Sequence, residues 1–310
     1  MGVFLKLRRL RHCTQTILAL SYALTGFSGT ARAGTFFFST GNPDGLIATL
    51  SRIASAGKLE TETADDFITP SGITTINSAI FTGLVPLGTP LNAITQVEIE
   101  LYHVFPIDST FPPDNRVTTR VNSPSDNNFD ARDSAVPAQM TFSATLLNSS
   151  FNAMNSVVNG IHAAPNQFTG GEGAVTGEEV QFNITFTMPF VLGQDHVFFR
   201  PEVLLTSGDF LWLSAPKPIL PPGTPFANDL QTWTRNDGAG ALAPDWSRIG
   251  TDITNQGPFN ASFSLSGTTV PEPGTLILIG GALTGLGALR RRSNKRPKPC
   301  NEDKTRDGIG

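Results

Sequence analysis

Thr95-Gln96-Val97-Glu98-Ile99-Glu100-Leu101-Tyr102-His103-Val104-Phe105 alternates along its whole length. In an extended chain successive side chains point to opposite faces, so Val97, Ile99, Leu101 and His103 share one face and Glu98, Glu100 and Tyr102 the other. That is the pattern of a half-buried strand. Glu179–Thr187 (EVQFNITFT) and Ala261–Gly267 (ASFSLSG) repeat it. Thr35–Ser39, Ala64–Thr69, Thr74–Leu84, Gln139–Leu147, His196–Leu205 and Phe210–Ser214 are further strand candidates, rich in the β-branched and aromatic residues that suit a pleated surface.

Between these runs lie turn-rich stretches: Pro106–Pro113, Asn122–Ala138, Thr169–Gly177 and Ser214–Asp229. One helix is expected, over Asp44–Ala56, where Leu46, Ile47, Leu50 and Ile53 have helix-compatible spacing. Many strands, many loops and little helix predict an all-β body, an antiparallel β-sandwich or jelly roll. No internal repeat is visible.

Hydrophobic residues make up 39% of the 310-residue chain and charged residues 15%, with 22 Phe against 2 Tyr. Such a composition can bury a core, unlike that of a disordered chain. Between Gly34 and Val270 there are 9 Lys and Arg against 22 Asp and Glu, a net charge of −13, although the whole chain carries only −4. An acidic body argues against nucleic-acid partners, whose phosphates are held by Lys and Arg. The two cysteines, Cys13 and Cys300, lie outside this body. Cysteine catalysis, cysteine zinc sites and internal disulfides are thereby excluded from it.

Both ends carry processing signals. Lys6, Arg8, Arg9 and Arg11 precede the apolar run Ile17–Leu24, and Ala31-Arg32-Ala33 follows, the order of parts in a secretory signal peptide cleaved before Gly34. Toward the other end, Val270-Pro271-Glu272-Pro273-Gly274 leads into an uncharged apolar run from Thr275 to Leu289, then Arg290-Arg291-Arg292. Arginines straight after the run predict a membrane helix over 275–289 with the body outside the cytoplasm.

This order resembles the PEP-CTERM sorting signal of exopolysaccharide-producing Gram-negative bacteria, carried here by Pro271, Glu272, Pro273, the apolar helix and Arg290, Arg291, Arg292. The resemblance implies a Sec-exported protein whose tail is removed by the membrane protease-transpeptidase exosortase, with Pro-Glu-Pro as the recognition site. It implies an inner-membrane anchor before processing and the cell surface or extracellular matrix afterwards. The expected organisation is a signal peptide at 1–33, a β-sandwich body at 34–267, the sorting signal at 268–292 and a polar disordered tail at 293–310, with Ser266–Thr269 as a linker. Ala64-Asp65-Asp66-Phe67, followed by a strand and a turn at Phe81-Thr82-Gly83, also resembles the start of β-sandwich domains in other PEP-CTERM proteins.

Within the body no catalytic constellation is visible. Asp126, Asn128, Asp130 and Asp133 bring oxygen donors into one loop, a set that suits Ca²⁺. The ordinary reading of the same residues is an Asx-rich turn, since there is no glycine at the sharp turn and no closing Glu of an EF-hand. No other cofactor is implied. Asp65–Asp66 and Glu178–Glu179 are adjacent on strands and so point to opposite faces, not across a shared bond. His103, His162 and His196 lack metal-ligand spacing, no nucleophile elbow is present, and Thr169–Gly177 lacks a P-loop ending. Trp212, Trp233 and Trp246, with Tyr102, are the aromatics to examine for sugar stacking, Trp233 and Trp246 above all; burial would instead make them core. Three readings of the body follow: a non-catalytic surface or matrix protein, a carbohydrate-binding module for exopolysaccharide, and a secreted hydrolase. The first is preferred because targeting is visible in the sequence and chemistry is not.

Overall fold

A computed structural model describes residues 33–104, 122–125, 127–158, 168–216, 231–236 and 246–271. The signal-peptide run, the expected helix at 275–289, Asp126 and His162 lie outside them. Among the described residues no helix is long and apolar enough to cross a membrane.

The alternating run at Thr95 lies within strand β5 (Ile94–His103), the fifth of fifteen in chain order. It belongs to a six-stranded sheet with β3 (Thr61–Ile68), β6 (Asp130–Asp133), β10 (His196–Leu205), β12 (Trp233–Asn236) and β13 (Ser247–Arg248). Their order is β13-β12-β3-β10-β5-β6, antiparallel throughout.

The second sheet has nine strands: β1 (Gly34–Ser39), β2 (Ile47–Leu50), β4 (Ile73–Val85), β7 (Met140–Ala153), β8 (Asn155–Val157), β9 (Val175–Leu192), β11 (Leu211–Ala215), β14 (Asn260–Ala261) and β15 (Phe263–Val270). Its path runs β1-β15-β4-β11-β2-β8, with β9 also on β4, β7 on β9 and β14 on β11. The pair β2–β8 is parallel, a departure from the antiparallel expectation. The long chain between them, from Leu50 to Asn155, supplies the crossover that a parallel pair requires.

One apolar cluster joins the two sheets. Phe67, Val97, Ile99 and Phe199 from the six-stranded sheet pack with Phe38, Phe81, Phe182, Trp212 and Phe263 from the nine-stranded one. Phe81 and Phe182 stack with centroids 4.7 Å apart, and Phe210 meets both edge-on at 5.7 and 5.2 Å. Gly83 makes room for Phe210: a Cβ there would fall 2.2 Å from that ring. Phe81-Thr82-Gly83 is therefore a length of β4, not a turn.

Two other expectations are corrected. Asp44–Ala56 is not a helix: Ile47–Leu50 is a strand with all four residues buried, held between β11 and β8. A central strand buried on both faces reads as an unbroken apolar run, which periodicity cannot separate from a helix. Ser266–Thr269 is not a linker: β15 continues to Val270, paired with β1 on one side and β4 on the other. The strand Asp130–Asp133 also lies inside a stretch expected to be turn throughout.

Charge divides between the sheets. The strands of the nine-stranded sheet carry only Glu178 and Glu179, both at the start of β9, whereas every strand of the six-stranded sheet carries at least one charged residue.

Replacing Phe182 by Ala should lower stability by about 3–5 kcal/mol, because the stacked and edge-on rings around it cannot collapse into the gap. Thr185→Ala, on the exposed face of the same strand, should cost less than about 0.5 kcal/mol. Urea denaturation of the two variants checks this, and equal midpoints would refute the shared core.

Candidate functional site

The outer face of the six-stranded sheet holds the densest chemistry in the body. Strand alternation sends Val97, Ile99 and Leu101 of β5 into the core, and therefore Glu98, Glu100 and Tyr102 outward. The same rule turns Arg200 and Glu202 of β10, Glu62 of β3 and Arg235 of β12 to that side. Antiparallel register then sets Arg200 opposite Glu100, Glu202 opposite Glu98, and Arg235 opposite Glu62.

This outward face is nonetheless buried. Arg200 is 1% exposed, Glu202 0%, Glu62 1% and Tyr102 2%. The expectation of a half-buried strand is thus corrected at its centre: β5 is covered on both sides from Ile99 to Tyr102. Arg200 is paired with Glu202 at 2.5 Å, with Glu60 and Glu62 at 3.4 Å each, and with Glu100. Arg235 pairs with Glu62, and its guanidinium lies 4.7 Å from the Trp246 ring centre and 5.5 Å from that of Tyr102. The Tyr102 hydroxyl sits 2.7 Å from Glu62 Oε1 and 2.5 Å from Glu100 Oε2. Burial pushes the phenol's pKa further up, so it stays protonated and can donate to only one of the two carboxyls at a time.

Carboxylates outnumber guanidinium groups here, and their titration reflects it. Burial, with the neighbouring charges of Glu100 and Asp133, outweighs Arg200 and holds Glu98 up at about 7. Glu202 is pushed well above the ordinary range by burial, then by Glu60 and Glu98, against the opposing pull of Arg200. Chemically the cluster is a proton-holding ion network. Its carboxyls converge on Arg200, and among the described residues no group of three or more His, Cys, Asp or Glu is arranged to hold a metal ion.

The residues singled out from sequence lie apart from one another. Asp130 forms an ion pair with Arg132 and accepts the Ala131 N–H. Both Asp133 oxygens accept from Gln96 Nε2 at 3.0 Å, and Oδ1 also accepts the Ala135 N–H at 2.7 Å. Asn128 is exposed. The two described carboxylates of the expected Ca²⁺ loop are thus held by separate partners. Trp233 and Trp246 are both 0% exposed, Trp246 meeting Tyr102 edge-on at 5.6 Å and donating to the Ser125 carbonyl at 3.3 Å. Neither ring offers a face to a sugar in solution.

The paired carboxylates also divide as alternation dictates. Asp65 accepts the Ala261 N–H at 2.7 Å, and burial followed by the charge of Asp66 raises its pKa. Asp66 is bonded instead to His196 Nε2 at 2.6 Å. Glu178 accepts from the Gly88 N–H at 3.0 Å. His103 stacks on Phe129 with centroids 3.9 Å apart and pairs with Asp195 at 3.0 Å. Sequence reasoning missed the network around Arg200, although Glu60-x-Glu62, Glu98-x-Glu100 and Arg200-x-Glu202 were available as complementary alternations.

Two predictions follow from this electrostatics. Arg200→Met should cost about 3–5 kcal/mol at pH 7.5, because it strands buried carboxylates without a counter-charge. The loss should be smaller at pH 5, where Glu98, held up at about 7, keeps its proton; urea titrations giving an equal loss at both pH values would count against the network. For Glu98, whose folded pKa is raised, the unfolded chain releases its proton from about 4.5 while the folded chain keeps it to about 7. Its contribution to stability is therefore complete below 4.5 and lost as pH rises to about 7. Glu98→Gln should flatten the fall in urea midpoint across that window.

The last strand leads straight to the sorting signal. Thr269 is paired with Gly34 and Thr74, and Val270 with Ile73. Gly72 turns at φ +110° directly beneath them, where a Cβ would lie 2.3 Å from the Val270 carbonyl and 2.9 Å from Pro271 Cα. No curated protein and no solved structure matches the chain. Residues 269–292 do match the PEP-CTERM protein-sorting motif, so the matched segment begins inside β15. The chain carries the signal of an exported protein sorted by exosortase.

Proposed function

We propose that the chain is a non-catalytic protein of the cell surface or extracellular matrix that acts through contacts made by a two-sheet β-sandwich. It is exported through the Sec translocon and held at the inner membrane by the 275–289 helix. An exosortase-like membrane protease then removes the tail at Pro271-Glu272-Pro273. The observation that carries this reading is the position of the motif, which begins in the last two residues of the final described strand of an all-β body. The start of β1 at Gly34, the residue that follows Ala31-Arg32-Ala33, supports signal-peptide cleavage there. A structural role for the body is supported by the engagement of its buried acids: Asp65, Asp66, Glu62 and Glu100 each hold another strand of the fold. Binding of exopolysaccharide through Trp233 and Trp246 is less favoured, since both rings are buried.

Mass spectrometry of the protein recovered from its own cells tests the reading. The expected product starts at Gly34 and ends near Pro271–Pro273, and replacing Pro271, Glu272 and Pro273 together by Ala should leave the tail attached. A native product that still ends at Gly310, or a triple variant processed like the parent, would overturn it.

A further inference from the structure

Strand β7 has one neighbour among the described residues, β9, and so forms an edge of the nine-stranded sheet. From Met140 to Leu146 its register with β9 is unbroken; the irregularities begin beyond Leu146. Sheet edges that stay unpaired are ordinarily shielded by short length, bulges, proline or charge, lysine especially. This segment has no bulge, β7 is 14 residues long, and Ser134–Gly171 contains no Asp, Glu, Lys or Arg. The core is also open here: Phe142 and Ala144 face it but are only partly buried, whereas their β9 partners Ile184 and Phe182 are fully covered.

We propose that this edge is a self-association surface, where two copies of the chain join β7 to β7 antiparallel about a twofold axis at Ser143. The sequence Met140-Thr141-Phe142-Ser143-Ala144-Thr145-Leu146 is self-complementary about its centre. In that register Met140 lies opposite Leu146 of the second copy, Thr141 opposite Thr145, and Phe142 opposite Ala144. Apolar residues thus meet apolar ones and threonine meets threonine, the pairings that stabilise directly opposed strands. The contact is isologous and closes at two, and it covers Phe142 and Ala144.

Charge identifies the occupant as a second copy. Two bodies of net charge −13 repel wherever their acidic surfaces come within about 8–10 Å, the screening length at moderate salt. The β7 edge is a place where they can approach without that penalty. A partner recognised through its charge finds none to pair with here. This inference stands independently of how the chain is sorted.

The body has no cysteine, so a cysteine introduced there reports the axis directly. Directly opposed Cβ atoms in an antiparallel pair lie about 4.5–5.5 Å apart, at the margin of disulfide range. In cells, Ser143→Cys should give a disulfide-linked species of twice the chain mass. Its yield should exceed that of Thr185→Cys by at least about tenfold, since Thr185 lies one strand inward on the same face. By light scattering the parent protein should be a dimer and Ser143→Lys a monomer that still unfolds cooperatively in urea, its midpoint independent of concentration where the parent's rises with it. A monomeric parent, equal yields from the two cysteine variants, or a cross-linked mass other than twice the chain would each overturn the proposal.

Discussion

The buried guanidinium of Arg200 is the constraint on which the six-stranded sheet turns. It lies at the centre of β10, between β3 and β5, and draws carboxylates from three directions: Glu60 and Glu62, Glu100, and its own neighbour Glu202. A charge taken out of water is tolerated only when geometry and partners are supplied together. A slip of β3 or β5 by one residue would turn its carboxylates into the core and Phe67 or Ile99 outward, so the ion network and the apolar core select the same register. Specificity, more than net stability, is what such a network contributes. Its excess of acid holds Glu98 up at about 7 and pushes Glu202 above the ordinary carboxylate range, burial outweighing the pull of Arg200.

The other sheet is organised on the opposite principle. Its exposed face carries rows of uncharged polar residues across β15, β4, β9 and β7, such as Ser266, Ser78, Thr185 and Thr141, with a few exposed apolar residues such as Ile80 among them. An acidic protein has thereby gathered its strand charges into one layer and left the other almost neutral.

Much of the fold was legible in the sequence, and the parts that were not share a physical cause. β9 and β15 could be read because only one of their faces is buried, so apolar and polar residues alternate. β2 was lost because both of its faces are covered and no alternation remains. β6 hid inside an Asx-rich stretch because Asp130 and Asp133 serve both turn and ladder, and the same ambiguity made them resemble a Ca²⁺ loop. The Arg200 network was invisible for a subtler reason. Glu98 and Glu100 alternate with apolar residues just as a solvated face would, and a single strand carries no sign that its polar side is roofed. Trp233 and Trp246 mark that roof, but their surroundings in the sequence read as open loop.

The junction with the sorting signal shows how the fold and the processing site are compatible. β15 lies between β1 and β4 and contributes Phe263 and Leu265 to the shared core, so the body needs this strand intact. Pro271 ends it. Proline has no N–H to donate, and the sheet's ladder therefore stops one residue before the Pro-Glu-Pro element begins. Gly72, the one residue type able to pass beneath Val270 and Pro271 without a clash, fixes where the strand leaves the sheet. Among the described residues every rung of this ladder lies at or before Val270. Pro271 thus closes the ladder of the last described strand two residues into the matched sorting motif.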